Sequence, residues 1–246
     1  MNDATSDMGA SDATRPDTPA TDSGSPDAVG TDATHADTGV GDSGALDASL
    51  DADTGFCDPS ATSLRLCVRF EDSFVDESLA PHTLRESGLR YADGRVGRAG
   101  EFDASVAAWI AQDGDLTGEP MTVELFLMPA ELPSSGRVGV WDIGGQHSAW
   151  IRPGAEFACR SIAVSDVLTV GTWTHIACVF DGDASRVYVD GSPVATGVSS
   201  PGTAAAGDIR LGADNPDGDH FVGRIDELRI FRGARTAAEI AAAAAR

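Results

Sequence analysis

The sequence predicts an all-β fold, a two-sheet antiparallel jelly-roll sandwich with a short C-terminal helix, preceded by a disordered N-terminal tail. Residues 1–56 contain one aromatic side chain and consist mostly of Asp, Ala, Thr, Gly, Ser and Pro. From residue 57 onward, short runs of alternating apolar and polar residues are separated by Gly, Asp and Pro, as in strands joined by turns. Only residues 236–246 have a helical pattern. Many short strands with one terminal helix favour a sandwich over an α/β fold.

Residues 1–56 are predicted to be a disordered acidic linker. They hold twelve Asp and one Arg, and nine of the aspartates recur at intervals of five from Asp7 to Asp47. The small residues between them cannot fill the interior of a β-helix, and so little apolar surface cannot offset the entropy of ordering. Evenly spaced like charges instead favour an extended spacer. A calcium-binding repeat is the weaker alternative, because the Gly-x-Gly-x-Asp framework is missing.

The charge balance limits the partners. The formal net charge is −22, and all 17 basic residues are Arg. Phosphate backbones and anionic lipid head groups would repel such a chain, so nucleic acid and direct membrane binding are not expected. No run of eighteen apolar residues occurs, and the first residues lack the pattern of a signal peptide. An extracellular or cell-surface location is therefore inferred from the linker and the cysteines.

Residues 57–246 are predicted to form one folded domain of about ten strands. The turn Asp190-Gly191 gives the strongest local hairpin signal, since both residues tolerate positive φ. Thr236 and Glu239 have the spacing of a capping box, in which each side chain satisfies a free amide of the first helical turn. The predicted strands cover residues 64–70, 121–128, 138–143, 149–152, 157–164, 173–180, 186–190, 209–211 and 221–231.

The four cysteines all lie in the folded part, and none of them has CxxC spacing. The absence of CxxC spacing argues against a zinc knuckle or a thioredoxin-type motif. Two disulfides are predicted, Cys57 with Cys67 and Cys159 with Cys178, because each pair is close in sequence. The alternative is four buried free thiols in a reducing compartment.

Several segments resemble, in the same order, the LamG-like jelly-roll group of the concanavalin A-like lectin/glucanase superfamily. Residues 173–182 and 186–191 resemble its tryptophan strand and the neighbouring hairpin, and residues 221–231 resemble its closing strand. Residues 235–240 resemble its short helix, and residues 97–103 and 121–129 resemble two of its early strands. The resemblance implies two antiparallel sheets, an extracellular setting and often a bound calcium, but it does not fix a function.

A structural Ca²⁺ is expected where the first and last strands meet. Glu71, Asp72 and Asp76 follow the first predicted strand, and Asp226 lies in the last. Because these two strands tend to be neighbours in antiparallel jelly rolls, Asp72 and Asp226 are the favoured ligands, with Glu71 and Asp76 as additions. Solvated turn carboxylates are the alternative. The run from Asp214 to Asp219 lacks the spacing of an EF-hand and is predicted to be a turn.

The leading functional hypothesis is a non-catalytic, lectin-like module that binds a glycan. Trp141 and Trp150 flank the Gly144-Gly145 loop and are candidates to stack on a sugar ring, although large aromatic residues on strands are more often core. Exposed tryptophans would favour this hypothesis. The alternative is a protein-interaction or structural adhesion module without a sugar site, which buried tryptophans would favour.

Catalysis is not expected from the pattern of carboxylates. Glycosidases need two carboxyl groups across one bond, but no strand has the run of alternate acidic residues that such enzymes use on this fold. Asp226 and Glu227 are adjacent, and the strand pleat predicts that they point to opposite faces. His175 is predicted to be a packed strand residue instead of a base, and no Gly-x-Ser-x-Gly elbow frames a nucleophile.

Overall fold

A computed structural model describes residues 55–58, 60–112, 114–144, 147–182, 184–198, 207–214 and 218–246. All of them belong to the unit Asp47–Arg246. The predicted disordered linker, residues 1–56, lies outside the described residues except for Gly55 and Phe56. Its disorder therefore stays a prediction.

The described residues form fifteen strands and one helix. They are β1 (Leu64–Val68), β2 (Leu84–Ser87), β3 (Arg90–Asp93), β4 (Arg98–Phe102), β5 (Ala107–Ile110), β6 (Met121–Pro129), β7 (Val138–Asp142), β8 (Ala149–Arg152), β9 (Glu156–Cys159), β10 (Ile162–Val164), β11 (Thr174–Asp181), β12 (Ala184–Val189), β13 (Ser192–Val198), β14 (Ile209–Leu211), β15 (Gly223–Arg232) and α1 (Ala237–Ala244).

The strands form two antiparallel sheets. The eight-stranded sheet has the order β13-β12-β11-β6-β15-β4-β3, with β1 also paired to β15. The seven-stranded sheet has the order β10-β9-β8-β7-β14-β5-β2. Neighbours in each sheet are often distant in sequence, as expected for a jelly roll. The predicted sandwich is confirmed, and so is the pairing of the first and last strands.

The core fills the space between the sheets because apolar side chains alternate along the strands. In β6, Val123, Leu125 and Leu127 are fully buried in the main apolar cluster, while Thr122 and Glu124 lie on the other side of the strand. Strands from the seven-stranded sheet contribute in the same way. A period of two places alternate residues on opposite faces, so one set closes the sandwich and the other covers it.

Helix α1 packs on the outside of the eight-stranded sheet. Its predicted capping box is present, since the Thr236 hydroxyl accepts from the Glu239 backbone N–H and the Glu239 carboxylate accepts from Thr236. Ile240 is fully buried against Ala177, Val179 and Tyr188 of the sheet. Within the described ranges, no helix has the length and apolar character needed to cross a membrane.

Some strand boundaries differ from the prediction. The segment predicted as one strand over residues 157–164 forms a hairpin, β9 and β10, because Arg160 adopts a positive φ of 54° and turns the chain. The hairpin predicted at Asp190-Gly191 is confirmed, with φ angles of 46° and 77° joining β12 to β13. Both angles match the tight turn that fits the twist of a hairpin.

Both predicted disulfides are present. Cys57 pairs with Cys67, which ties the lead-in segment to β1, and their Cα atoms are 5.7 Å apart. Cys159 pairs with Cys178 at a Cα separation of 6.0 Å. Because Cys159 lies in β9 and Cys178 in β11, the second bridge joins the two sheets through the core.

Candidate functional site

Four side chains cross the outer face of the seven-stranded sheet in one register. Arg85 of β2 pairs with Trp109 of β5, Trp109 pairs with Arg210 of β14, and Arg210 pairs with Asp142 of β7. Their strand neighbours Ala108, Ile110, Ile209 and Leu211 belong to the core, so the four point away from it. We call this row, together with Arg137, Asp208 and Asp214 beside it, the Trp109 face.

Trp109 is the aromatic centre of this face and is only half-buried. The Arg210 guanidinium lies 4.3 Å from the centre of its ring, and that of Arg85 lies at 5.8 Å. Arg85 is also paired with Asp208, and its side chain is 59% exposed. Arg210 is buried, so Arg85 is the exposed donor beside the ring. An aromatic ring next to an exposed donor is a surface on which a hydroxylated ring can stack.

At the Asp142 end of this row, the carboxyl groups of Asp142 and Asp214 interact through a hydrogen bond. Asp142 accepts from the Ser148 hydroxyl, and Asp214 is paired with Arg137. Burial, and then the hydrogen bond with Asp142, raise the pKa of Asp214 above its usual 3.8, while Arg137 opposes the rise. The carboxyl oxygens of the pair therefore add hydrogen-bond acceptors to the face, beside the guanidinium donors of Arg85 and Arg137.

The tryptophans chosen from the sequence do not form the exposed surface. Trp141 is 1% exposed, and its indole N–H donates to the backbone oxygen of His147 at 2.5 Å. Trp150 is 7% exposed and lies under Arg137, whose guanidinium is 4.6 Å from the ring centre. Neither ring is available to stack on a sugar in this structure, because one is core and the other is covered. By the criterion taken from the sequence, these two buried tryptophans favour the alternative without a sugar site, so a sugar site would have to lie on other residues.

A second polar site lies where the loop 93–98 meets β15. One oxygen of Asp226, Oδ2, accepts backbone N–H groups of Arg95 and Val96 at 2.8 and 3.0 Å. The other oxygen, Oδ1, is buried and has no hydrogen-bond partner. Burial raises the pKa of Asp226 to about 7, and the negative charge of Glu71 adds to the rise.

Glu71, and not Asp72, is the neighbour of Asp226 in this site. The Glu71 carboxylate accepts the backbone N–H of Arg98 at 3.1 Å. A Cβ on Gly97 would lie 2.1 Å from it, and a Cβ on Gly94 would lie 2.7 Å from Asp226 Oδ2. The two glycines therefore let the loop approach both carboxylates closely.

The other two predicted calcium ligands lie elsewhere. The side chain of Asp72 is 70% exposed and pairs with Arg98 Nε at 3.1 Å. Asp76 is buried and fully used by other groups, because it accepts from the backbone N–H groups of Cys67, Ser78 and His82. The Asp76 carboxylate also contacts the His82 ring, with 2.8 Å between Asp76 Oδ2 and His82 Nδ1. The carboxylate of Asp76 thus holds the chain that follows β1.

The prediction that Asp226 and Glu227 point to opposite faces is wrong. A bulge shifts the register of β15 between Asp226 and Arg229, and Glu227 has a positive φ of 53°. Ile225 and Leu228 are both core residues, so the two acidic residues between them both lie outside the core. Burial raises the pKa of Glu227 to about 8, against the nearby Arg246 at 3.4 Å.

Two smaller predictions concern His175 and the loop after β14. His175 is 2% exposed and packs edge-on against Phe126, as predicted for a strand residue. Residues 215–217 lie outside the described residues, but Asp214 N–H donates to the oxygen of Gly218 at 2.8 Å, which agrees with a turn. No three His, Cys, Asp or Glu side chains among the described residues come together as a metal site.

The fold and this arrangement of side chains define a lectin-like jelly-roll domain. A family model described as the concanavalin A-like lectin/glucanases superfamily matches residues 92–241, which is more than half of the chain. The chain belongs to this family, so the predicted resemblance is confirmed. A search of curated proteins finds no significant match.

Solved structures share the fold at low identity. Domain 4 of AbnA, a GH43 extracellular arabinanase from Geobacillus stearothermophilus solved in complex with arabinotriose, is 23% identical with a TM-score of 0.57, covering 74% of this chain and 98% of that one. The binding domain of Paraclostridial Mosquitocidal Protein 1 is 14% identical (TM-score 0.59; 74% and 52% covered). The botulinum neurotoxin serotype D binding domain is 13% identical (TM-score 0.60; 74% and 51%). This chain spans about half of each toxin domain.

Proposed function

We propose that the protein is a non-catalytic glycan-binding module and that the Trp109 face holds the sugar. The observation that carries the proposal is the partly exposed Trp109 ring, set in register between Arg85 and Arg210 with the carboxyl pair beside it. A sugar ring has an apolar side that stacks on an indole and hydroxyls that need both donors and acceptors. The Trp109 face offers an indole ring for stacking, guanidinium groups as donors and carboxyl oxygens as acceptors.

The carboxyl pair favours binding over hydrolysis. Asp142 and Asp214 share a direct hydrogen bond, whereas glycosidases hold their two carboxyl groups roughly 5 to 9.5 Å apart so that the sugar or a water fits between them. Asp142 is also only 4% exposed. The pair is therefore suited to hydrogen-bonding a ligand from the side.

The similar arabinanase domain, which is bound to arabinotriose, supports an arabinose oligosaccharide as the first ligand to test. Calorimetric titration of the whole chain with arabinotriose and a panel of neutral oligosaccharides is the experiment. Binding of at least one sugar is expected, and Trp109→Ala should weaken it roughly tenfold, since loss of a stacked ring costs about 1.4 kcal/mol. No new reducing ends should appear with any of them.

Arg85 on the Trp109 face and Arg90 on the other sheet provide a test variant and its matched control. The side chain of Arg85 is 59% exposed and pairs with Asp208, while that of Arg90 is 54% exposed and pairs with Asp103 on the other sheet. Arg85→Gln should weaken sugar binding and Arg90→Gln should not. Equal effects, or sugar binding that survives Trp109→Ala unchanged, would place the site elsewhere. If no glycan binds, the protein-interaction alternative is favoured.

A structural calcium at Asp226 and Glu71 is the second part of the proposal. The buried, unpartnered Oδ1 of Asp226 and the glycines that bring the loop close fit an oxygen-ligated cation. Asp226 and Glu71 would hold the ion, which would neutralise the buried Asp226 carboxylate and the exposed Glu71 carboxylate beside it and fasten the loop 93–98 to the last strand. Asp72 is expected to stay outside the site.

Thermal unfolding with calcium or with a chelator tests this site. Calcium at about 100 times its dissociation constant should add about 2.7 kcal/mol of stability. Asp226→Asn should abolish the response, and Asp72→Asn should keep it, because Asp72 is exposed at the rim. A wild-type midpoint that ignores chelator, or a response that Asp72→Asn removes instead, would contradict the assignment.

Two disulfides support an oxidising, extracellular or cell-surface location. In that setting the acidic linker would hold the domain away from its point of attachment. Proteolytic removal of residues 1–54 should leave the affinity for sugar unchanged. A changed affinity would show that the linker contributes to the binding site.

A further inference from the structure

A cavity lies on the outer face of the eight-stranded sheet, whereas the Trp109 face lies on the seven-stranded sheet. Its volume is about 340 Å³, near the lower end of the range for ligand pockets. Three arginines line it, Arg229 from β15, Arg235 before α1 and Arg246 after it, together with one carboxylate, Glu239 of α1. The Glu239 carboxylate is already engaged by Thr236 in the helix cap. Phe56 and the alanines of α1 form its apolar walls. We call it the arginine cavity.

The arginines are held by a small number of partners. Arg229 and Arg235 both pair with the same oxygen of Glu124, Oε1, and the contact from Arg235 is 2.6 Å. Arg229 and Arg246 lie over the Phe56 ring, at 3.8 and 4.3 Å from its centre. These contacts fix the guanidinium groups in place before any ligand arrives, which lowers the entropy cost of binding.

Donor capacity remains after these contacts are counted. The side chain of Arg229 is 9% exposed, and its Nε–H is buried with no hydrogen-bond partner. Arg229 otherwise donates to the Phe56 carbonyl and to Glu124. A buried N–H without an acceptor costs free energy, so an anion that supplied an acceptor would be stabilising.

The charge of the cavity also calls for an anion. In a chain with a net charge of −22, three of the 17 arginines line this one cavity. The pKa of Arg229 is lowered to about 10, mainly by burial and further by the positive charges of Arg235 and Arg246. Glu124 and then Glu227 act in the opposite direction and favour the charged form of Arg229.

We propose that the arginine cavity binds a carboxylate ligand of the size of a sugar acid. A planar carboxylate matches the fork of a guanidinium and can accept two N–H groups at once. The apolar walls around Phe56 suit the carbon skeleton that carries it. The ligand comes either as a free sugar acid or as a uronate residue of a polysaccharide, and both present the same group.

The test titrates the whole chain with sodium glucuronate, a glucuronate-containing oligosaccharide and glucose at constant ionic strength, with detection by calorimetry. Glucuronate should bind and glucose should not bind at this cavity. Arg235→Gln should weaken glucuronate binding about tenfold or more, because a charge-assisted hydrogen bond is lost. Arg65→Gln is the control, since Arg65 has a similar exposure of 23% and pairs with Asp115 elsewhere.

Several results would overturn the proposal. One is equal responses of the Trp109→Ala variant to glucuronate and glucose. Another is equal affinity of the Arg235→Gln variant and the wild type for glucuronate. If Arg235→Gln lowers the thermal midpoint, Arg246→Gln serves as the second variant and should also weaken binding. Trp109→Ala should leave glucuronate binding intact, so failure of this site and failure of the Trp109 face are separate outcomes.

Discussion

The buried imidazole of His175 predicts a specific loss of stability in acid. The ring packs against Phe126 with centroids 5.0 Å apart, and its Nδ1 has no hydrogen-bond partner. Burial, and then the positive charges of Arg229 and Arg235, lower the pKa of His175 from 6.5 to about 3. The folded protein therefore keeps the ring neutral in a range of pH where the unfolded chain protonates it.

The sign and size of the effect follow from the linkage between protonation and folding. The stability that the neutral ring provides is complete above about pH 6.5 and is lost as the pH falls toward 3. Between these limits the unfolded state binds one more proton, so His175 removes about 1.4 kcal/mol per pH unit. From about pH 6.5 to about pH 4.5 the loss amounts to about 3 kcal/mol.

Urea unfolding of the wild type and of His175→Gln across this range measures the effect. The free energy of unfolding of the variant should depend on pH less steeply, by about 1.4 kcal/mol per unit, whatever its stability at pH 7. His147→Gln is a second case, since burial lowers the pKa of His147 to about 4. The contribution of His147 to the pH dependence of stability should therefore lie between about pH 6.5 and pH 4. Identical slopes in wild type and His175→Gln would refute the reasoning.

Two further predictions concern stability. Replacing Cys159 and Cys178 by Ala should lower the free energy of unfolding by about 3 kcal/mol, because a loop of 19 residues is freed in the unfolded chain; chemical denaturation under non-reducing conditions measures it, and a loss below about 1 kcal/mol would contradict the structural role of the inter-sheet bridge. Thr236→Ala should cost about 1 kcal/mol by removing the helix cap, and Thr236→Ser should restore it; an unchanged midpoint for Thr236→Ala would show that α1 is held by packing alone.

Most of the fold can be predicted from the sequence because apolar and polar residues alternate along many of its strands. The run of apolar residues in β6 and β11, the Asp190-Gly191 turn and the Thr236 cap are local signals, and each is confirmed. The missed strands β2, β3 and β5 are four residues each, and Ala107-Ala-Trp-Ile110 has no polar alternation to reveal it. Their partners lie far away in sequence, so pairing and not local pattern makes them strands.

The site was harder to predict for two physical reasons. Bulges in β7 and β15 break the two-residue period, so Trp141 turns into the core and Glu227 joins Asp226 outside it. A positive φ at a glutamate is rare and leaves no sequence signature. The Trp109 face also depends on the registers in which β2, β5, β14 and β7 pair. These registers cannot be predicted from local sequence patterns, because most of the paired strands are far apart along the chain.

The two outer faces of the sandwich differ in what covers them, and this difference decides what each can bind. The eight-stranded sheet is covered by α1, by Phe56 and by the loop 93–98, so a ligand there meets a small cavity lined by arginines. The Trp109 face keeps a partly exposed indole and an exposed Arg85, which is the basis for proposing that it binds a neutral sugar. Because the core separates the two faces, neutral sugar and sugar acid should bind independently. Titration of one in the presence of saturating amounts of the other should return the same affinity, and a shift of more than about threefold would reveal a coupling free energy between the sites.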